Sequence, residues 1–257
     1  MYLLRQKKYD VVHAHYGLSG FPAMFRWKAP LVITLHGSDV LVGKIQPFIS
    51  RFVCKFADGV IVVLKNIKAI IAGDVLPCGV DRDVFKPYPQ MEVRLQLGLP
   101  LDKKLIIFPF NPDRKVKRFD LAKAVIEKLK RENYNIDLLV VHGVSNNKMP
   151  FYYSAADAMI LCSDSEGSPT SVKEALSCNI SVVSTDVRDV REILNSVSGT
   201  AVCNSNLNSL AENLKIVLMF RENNIFNGRT SIGRYDQHQL TLALVKIYER
   251  VINNHNN

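Results

Sequence analysis

No stretch of this 257-residue chain approaches the roughly 20 consecutive apolar residues that a membrane-spanning helix needs. The opening, Met1-Tyr2-Leu3-Leu4-Arg5-Gln6-Lys7-Lys8, has too short an apolar run for a signal peptide, so the expected location is the cytoplasm. Cysteine is sparse. The five residues at 54, 78, 162, 178 and 203 are scattered, odd in number and free of any CxxC pair, which argues against a disulfide framework and a zinc site alike. Low-complexity tracts and internal repeats are lacking too, and no compact basic run carries interleaved aromatics. The expectation is therefore a globular chain with no nucleic-acid partner.

What is present is an uneven positive charge. Residues 1–90 hold 12 Lys/Arg against 6 Asp/Glu, and the remainder 21 against 18, for a formal net charge of +9. So basic an N-terminal part could meet anionic lipid headgroups or an acidic acceptor, and a peripheral contact with the inner face of a membrane stays open.

Apolar runs without alternation recur along the chain: Tyr9–His15, Ala29–Leu35, Gly59–Leu64, Lys104–Phe108, Ile136–Val141, Ala158–Cys162, Ile180–Ser184 and Gly199–Cys203. Such runs suit parallel strands covered on both faces. Between them lie segments of helical character, including Lys117–Arg131 with apolar positions 119, 121, 122, 125, 126 and 129 on one side, Leu207–Glu222 and Tyr235–Asn253. Strand and helix alternate throughout, as in a doubly wound parallel sheet. The Pro- and Gly-bearing stretch Leu76–Pro87 has the chemistry of a linker and places a domain boundary near residue 88.

The most informative stretch is Ser163-Asp164-Ser165-Glu166-Gly167-Ser168-Pro169-Thr170-Ser171-Val172-Lys173-Glu174. A strand precedes it, and Pro169 suits the first turn of a helix that follows. Unpaired N–H groups and the positive end of a helix dipole form a cradle for an anion such as a diphosphate. Gly167 would let a ligand come close to the backbone. Carboxylates repel phosphate, so Glu166 and Glu174 should be aimed at hydroxyl groups, and hydroxyl acceptors beside a phosphate cradle are what a nucleotide sugar requires. The spacing alone also fits a capped surface helix with two solvated glutamates.

Glu-x7-Glu, with Gly and Pro after the first Glu, resembles the donor-binding motif of the family 4 retaining glycosyltransferases of GT-B fold. Gly79-Val80-Asp81 followed by Phe85 and Pro87 resembles that family's interdomain signature, and Thr34-Leu35-His36-Gly37-Ser38-Asp39 its histidine segment. The resemblance implies two Rossmann-like doubly wound parallel-sheet domains, the N-terminal one incomplete: residues 1–88 on the acceptor side, 89–235 binding the donor, and 236–257 as a helix crossing back to the N-terminal domain. A Gly-rich loop usual in the family would precede Met1, so the expectation is a truncated gene product, a fragment or a misplaced start.

The implied reaction moves a hexose, with retention, from a UDP- or GDP-sugar to a glycan or lipid-linked acceptor. His36 and Glu166 would be catalytic. Arg114, Lys117, Gly143, Val144, Gly167, Ser168, Pro169, Thr170 and Glu174 would bind the donor, with Arg114 and Lys117 on the diphosphate, the backbone at Gly143 and Val144 near the base, and Glu174 on the ribose. No cofactor or metal is expected, since fixed cations and a helix terminus would take a metal's place. Tyr152, Ala155, Ala156 and Asp157 match a family segment read as packing. Arg188 stands where the family has glycine. The alternative is a truncated, non-catalytic nucleotide-sugar-binding remnant, or a subunit that needs a separate N-terminal chain.

Overall fold

The computed structural model describes residues 9–25, 28–223 and 225–256; the stretch Met1–Lys8, on which the signal-peptide reading rests, lies outside them. The chain divides into two compact units. One runs up to Cys78 and takes in the final stretch from Gln237, and the other is Gly79–Asp236.

The first unit is built on four parallel strands, β1 (Val12–His15), β2 (Leu31–Leu35), β3 (Gly59–Val62) and β4 (Asp74–Val75), in the order β1-β2-β3-β4. Every residue of β2 is buried. Its side chains alternate between two layers, as a strand's period of two requires. Leu31, Ile33 and Leu35 face a core that includes Ala23 of helix α1 (Gly17–Ala23) and Val53 of helix α2 (Ile45–Cys54). Val32 faces the opposite side, where Ile247 and Val251 of the last helix, Gln237–Asn256, cover it together with Ile61. The two helices on the first side cross closely. A Cβ on Gly17 would stand 1.9 Å from Ser50 Oγ, so only glycine fits that crossing. The two-residue β4 is too short to be recognised in the sequence, where three strands are expected in this part of the chain.

The second unit opens with helix α3 (Gln90–Leu97) and holds a five-stranded parallel sheet. Its strands are β5 (Lys104–Phe108), β6 (Ile136–Val140), β7 (Ala158–Leu161), β8 (Ser181–Thr185) and β9 (Ala201–Cys203), in the order β6-β5-β7-β8-β9. Helix α4 (Phe119–Arg131) buries Leu121, Ala122, Val125, Ile126 and Leu129, the apolar stripe expected of it. The residue before it, Arg118, has φ 52°, and a single 3-10 turn at Lys115–Lys117 precedes that, so the helix begins two residues later than the pattern predicts. Helices α5 (Met149–Ala155) and α6 (Thr170–Ser177) pack on one face of the sheet; α4 and helix α7 (Leu207–Asn223) pack on the other.

The unit boundary falls at Cys78/Gly79, ten residues before the expected one. The linker-like stretch is tied into the second unit. Val80 N–H donates to the Tyr235 carbonyl at 2.9 Å, Phe85 packs edge-on to Tyr153, and the Phe85 carbonyl accepts from Arg229 Nη1 at 2.6 Å. Proline and glycine there shape an anchored turn and do not mark a free hinge.

Candidate functional site

The strand order of the second unit fixes where a ligand can sit. From β5 the chain moves outward to β6 and then returns to the other side of β5 with β7, so the connections diverge between β5 and β7. In open parallel sheets that divergence leaves a crevice at the carboxyl ends of the strands. The loop after β5 carries Arg114 and Lys117, and the loop after β7 carries Glu166.

A pocket of about 550 Å³ lies there. Arg114, Lys117, Gly143, Val144, Glu166, Ser168, Pro169, Thr170 and Glu174 all line it. Gly167 is the one member of the expected donor set that does not. His36 belongs to the first unit, where its ring stands 3.2 Å from His15 Nδ1 through Nε2. Its own N–H and that of Gly37 donate to the buried Asp39 carboxylate at 3.0 and 2.8 Å, which fixes the loop after β2. Burial and the neighbouring His15 lower the His36 pKa.

Lys117 is buried, with Nζ 2.5 Å from Glu166 Oε1 and 4.0 Å from the centre of the Phe110 ring. An ammonium is attracted both to an aromatic face and to a carboxylate. Ser163 Oγ also donates to Oε1 of Glu166, at 2.5 Å. Both contacts fall on one carboxylate oxygen. Arg114 is exposed and makes no ion pair among the described residues, so it brings the uncompensated positive charge to the pocket.

Helix α6 begins at Thr170 with Pro169 before it in an extended conformation, one residue later than the sequence pattern places the start. The amides at Thr170 and Ser171 have no partner within the helix and border the pocket. Glu174 lies one turn further in. It accepts from Tyr153 Oη at 2.9 Å, and burial pushes its carboxyl up against the opposing pull of Tyr153, Thr170 and Lys173. At the far wall Gly143 has φ 69°, a left-handed turn after β6 that glycine adopts without strain, and the space a side chain would fill is open.

Several contributors are not apparent in the sequence. Phe110, Asn111, His142 and Met149 line the pocket, and Tyr153 reaches Glu174 from α5. Phe110 and Asn111 could have been found as the residues that directly follow β5 at the ligand edge; nothing local marks Tyr153. Arg188 has φ 51°, the conformation that suits the glycine expected there, and its Nε donates to the Glu166 carbonyl at 2.7 Å. Asp157 of the Ala-Ala-Asp segment is paired with the buried Arg94 at 2.7 Å and also accepts from Leu105 N–H, in keeping with a packing role.

The chain also contains an Asp-x-Asp triplet, Asp81-Arg82-Asp83. Asp81 Oδ1 accepts from the N–H groups of Asp83 and Val84 and so closes a turn. No group of three His, Cys, Asp or Glu side chains among the described residues could hold a metal ion. No helix among them is long and apolar enough to cross a membrane.

Comparison with known proteins agrees with this geometry. Residues 1–84 match the model described as Glycosyltransferase Family 4, and residues 123–225 match Glycosyl transferases group 1. A Bacillus subtilis protein named as a teichuronic acid biosynthesis glycosyltransferase, TuaC, is 30% identical over 79% of this chain and 60% of its own length. A D-inositol 3-phosphate glycosyltransferase of Xylanimonas cellulosilytica is 27% identical over 76% of the chain and 60% of that protein. The chain thus spans about three fifths of the length of these relatives.

Among solved structures, sucrose-phosphate synthase from Thermosynechococcus elongatus aligns with a TM-score of 0.79 at 19% identity, covering 96% of this chain and 74% of that one. Anabaena HepE in complex with UDP aligns with 0.76 at 17%, covering 94% and 79%. Matched by one family model in its first part and another in its second, and sharing the two parallel-sheet units of its structural neighbours, this chain belongs to the family 4 glycosyltransferases of GT-B fold.

Proposed function

We propose that the second unit binds a UDP- or GDP-sugar and that the protein transfers its hexose, with retention, to a hydroxyl of a glycan or lipid-linked acceptor. One observation carries this reading: Lys117, Glu166, Glu174 and the start of α6 open on a single pocket at the crevice between β5 and β7. Two relatives named as a teichuronic acid biosynthesis glycosyltransferase and a D-inositol 3-phosphate glycosyltransferase, and a neighbour solved with UDP, support it.

Each residue has a task that its surroundings suit. The diphosphate would lie between the amides of Thr170 and Ser171, Arg114 and the Lys117 ammonium. These donors stabilise the charge that grows on the leaving oxygen as the sugar carbon–oxygen bond breaks. The acceptor oxygen forms the new bond to the sugar carbon, and its proton passes to the departing diphosphate. Glu166, with Oε1 engaged by Lys117 and Ser163, keeps Oε2 for a sugar hydroxyl. Glu174 would accept from the ribose, and Gly143 and Val144 would lie beside the base. His36 would act near the reacting carbon. No metal is assigned a part, because the cations and the helix terminus supply the charge.

Calorimetry with UDP, GDP and their glucose and mannose derivatives tests binding, and a transfer assay on the same preparation tests turnover. Micromolar binding of one nucleotide family together with sugar release to an acceptor is expected. Binding without transfer would instead support a non-catalytic nucleotide-sugar binder, and absence of binding would remove both readings.

A further inference from the structure

Helix α2 turns Pro47, Ser50 and Val53 into the core of the first unit, yet the side it shows to solvent is not polar. Ile45 is 75% exposed and Phe48 71%, and Phe52 and Phe56 are exposed as well. At 3.6 residues per turn, Ile45, Phe48 and Phe52 fall within an arc of about 60°. The next arc, about 40° wide, holds Arg51 together with the flanking Lys44 and Lys55, all exposed. None of these three cations has an ion-pair partner among the described residues. From Val40 to Ala57 the sequence contains no Asp or Glu.

Helix α1 crosses the core side of α2, where Gly17 and Gly20 lie over Ser50 and Val53, and it leaves Leu18 and Phe21 exposed, with Phe25 just beyond its end. An apolar band of this size on a water-facing surface marks a contact site. Its cationic border selects the partner. A second copy of the same face would bring the row of cations onto itself, whereas an anionic bilayer takes the rings at its acyl boundary and the cations among its phosphates.

We infer that the solvent face of α2 is a docking surface for an anionic lipid bilayer. This stands apart from the transfer reaction and does not depend on it. It would hold the first unit at the plane where membrane-attached hydroxyl compounds are found.

Co-sedimentation of the full chain with vesicles of phosphatidylcholine alone, or of phosphatidylcholine with phosphatidylglycerol, tests it. The chain should bind the mixed vesicles, release as salt is raised, and ignore the zwitterionic ones. Each cation at an anionic surface strengthens binding about fivefold, so K44Q/R51Q/K55Q should bind on the order of 100-fold more weakly. F48S/F52S should also lose binding. Equal binding to both vesicle types, or binding that neither variant weakens, overturns the inference. So does self-association in the absence of lipid that F48S/F52S abolishes. Thermal unfolding at the wild-type temperature verifies that each variant is folded; if the serine variant is not, the charge variant and the salt titration decide.

Discussion

Lys117 and Glu166 are 49 residues apart in the chain and meet at 2.5 Å, with only 7% and 12% of their side chains exposed. The contact joins the loop after β5 to the loop after β7 across the crevice. Breaking such a pair from one side strands the other charge in a poorly hydrated place, so K117M should destabilise the second unit by about 3 kcal/mol. The double variant K117M/E166Q should recover most of that loss. Urea unfolding midpoints of the four proteins in this cycle provide the check.

Arg188 is held in a left-handed conformation and bonds to the Glu166 carbonyl. Glycine there would relieve roughly 1 kcal/mol of backbone strain and forfeit a charge-assisted hydrogen bond of about 1.5 kcal/mol or more. Alanine would keep the strain and lose the bond. The expected order of stability is therefore wild type, then R188G, then R188A, in chemical denaturation. Both variants should lower the affinity for a nucleotide sugar more than that for the free nucleotide, because the loop they loosen is the one that presents Glu166.

Burial raises the Glu174 pKa, so the fold disfavours its ionised form. The stabilisation from the protonated group is complete at low pH and is lost as pH rises through the raised pKa. E174Q retains an acceptor for Tyr153 Oη and escapes that loss. Its stability relative to wild type should therefore improve between about pH 4 and pH 7, read as the difference in unfolding temperature. At neutral pH its affinity for a nucleotide should fall about tenfold, since a charged acceptor is lost from the ribose side.

His13 presents the opposite sign in the first unit. It stands 2.5 Å from Tyr248 Oη and 2.8 Å from Thr34 Oγ1, and burial, with the neighbouring His15 and His36, lowers its pKa to about 4. A depressed histidine favours the fold while neutral, and that advantage fades as pH falls from the ordinary imidazole value toward about 4. Unfolding temperatures should decline over this window, and the gap between wild type and H13N should narrow across it.

The parts of the site carried by local spacing were legible in the sequence. Glu166, Pro169, Thr170 and Glu174 follow one another through a loop and a helix start, and Lys117 sits at the same edge after the preceding strand. Contacts set by the sheet order were not. Tyr153 meets Glu174 only because α5 and α6 pack on one face, and Arg188 reaches the Glu166 carbonyl from a loop 22 residues on. The sequence flags Arg188 as a departure but gives no sign of what its side chain does. The boundary was misplaced for a related reason: turn residues announce a bend, whereas Phe85 and Val80 show which unit the bend is fastened to.

Amide hydrogen exchange, with and without saturating UDP or GDP, tests most directly whether the crevice between β5 and β7 holds a nucleotide diphosphate. The account predicts slowed exchange concentrated in residues 109–117, 141–145 and 163–175, and the loss of that protection in K117M. Protection centred elsewhere in the chain, or the same pattern in K117M as in wild type, would contradict it.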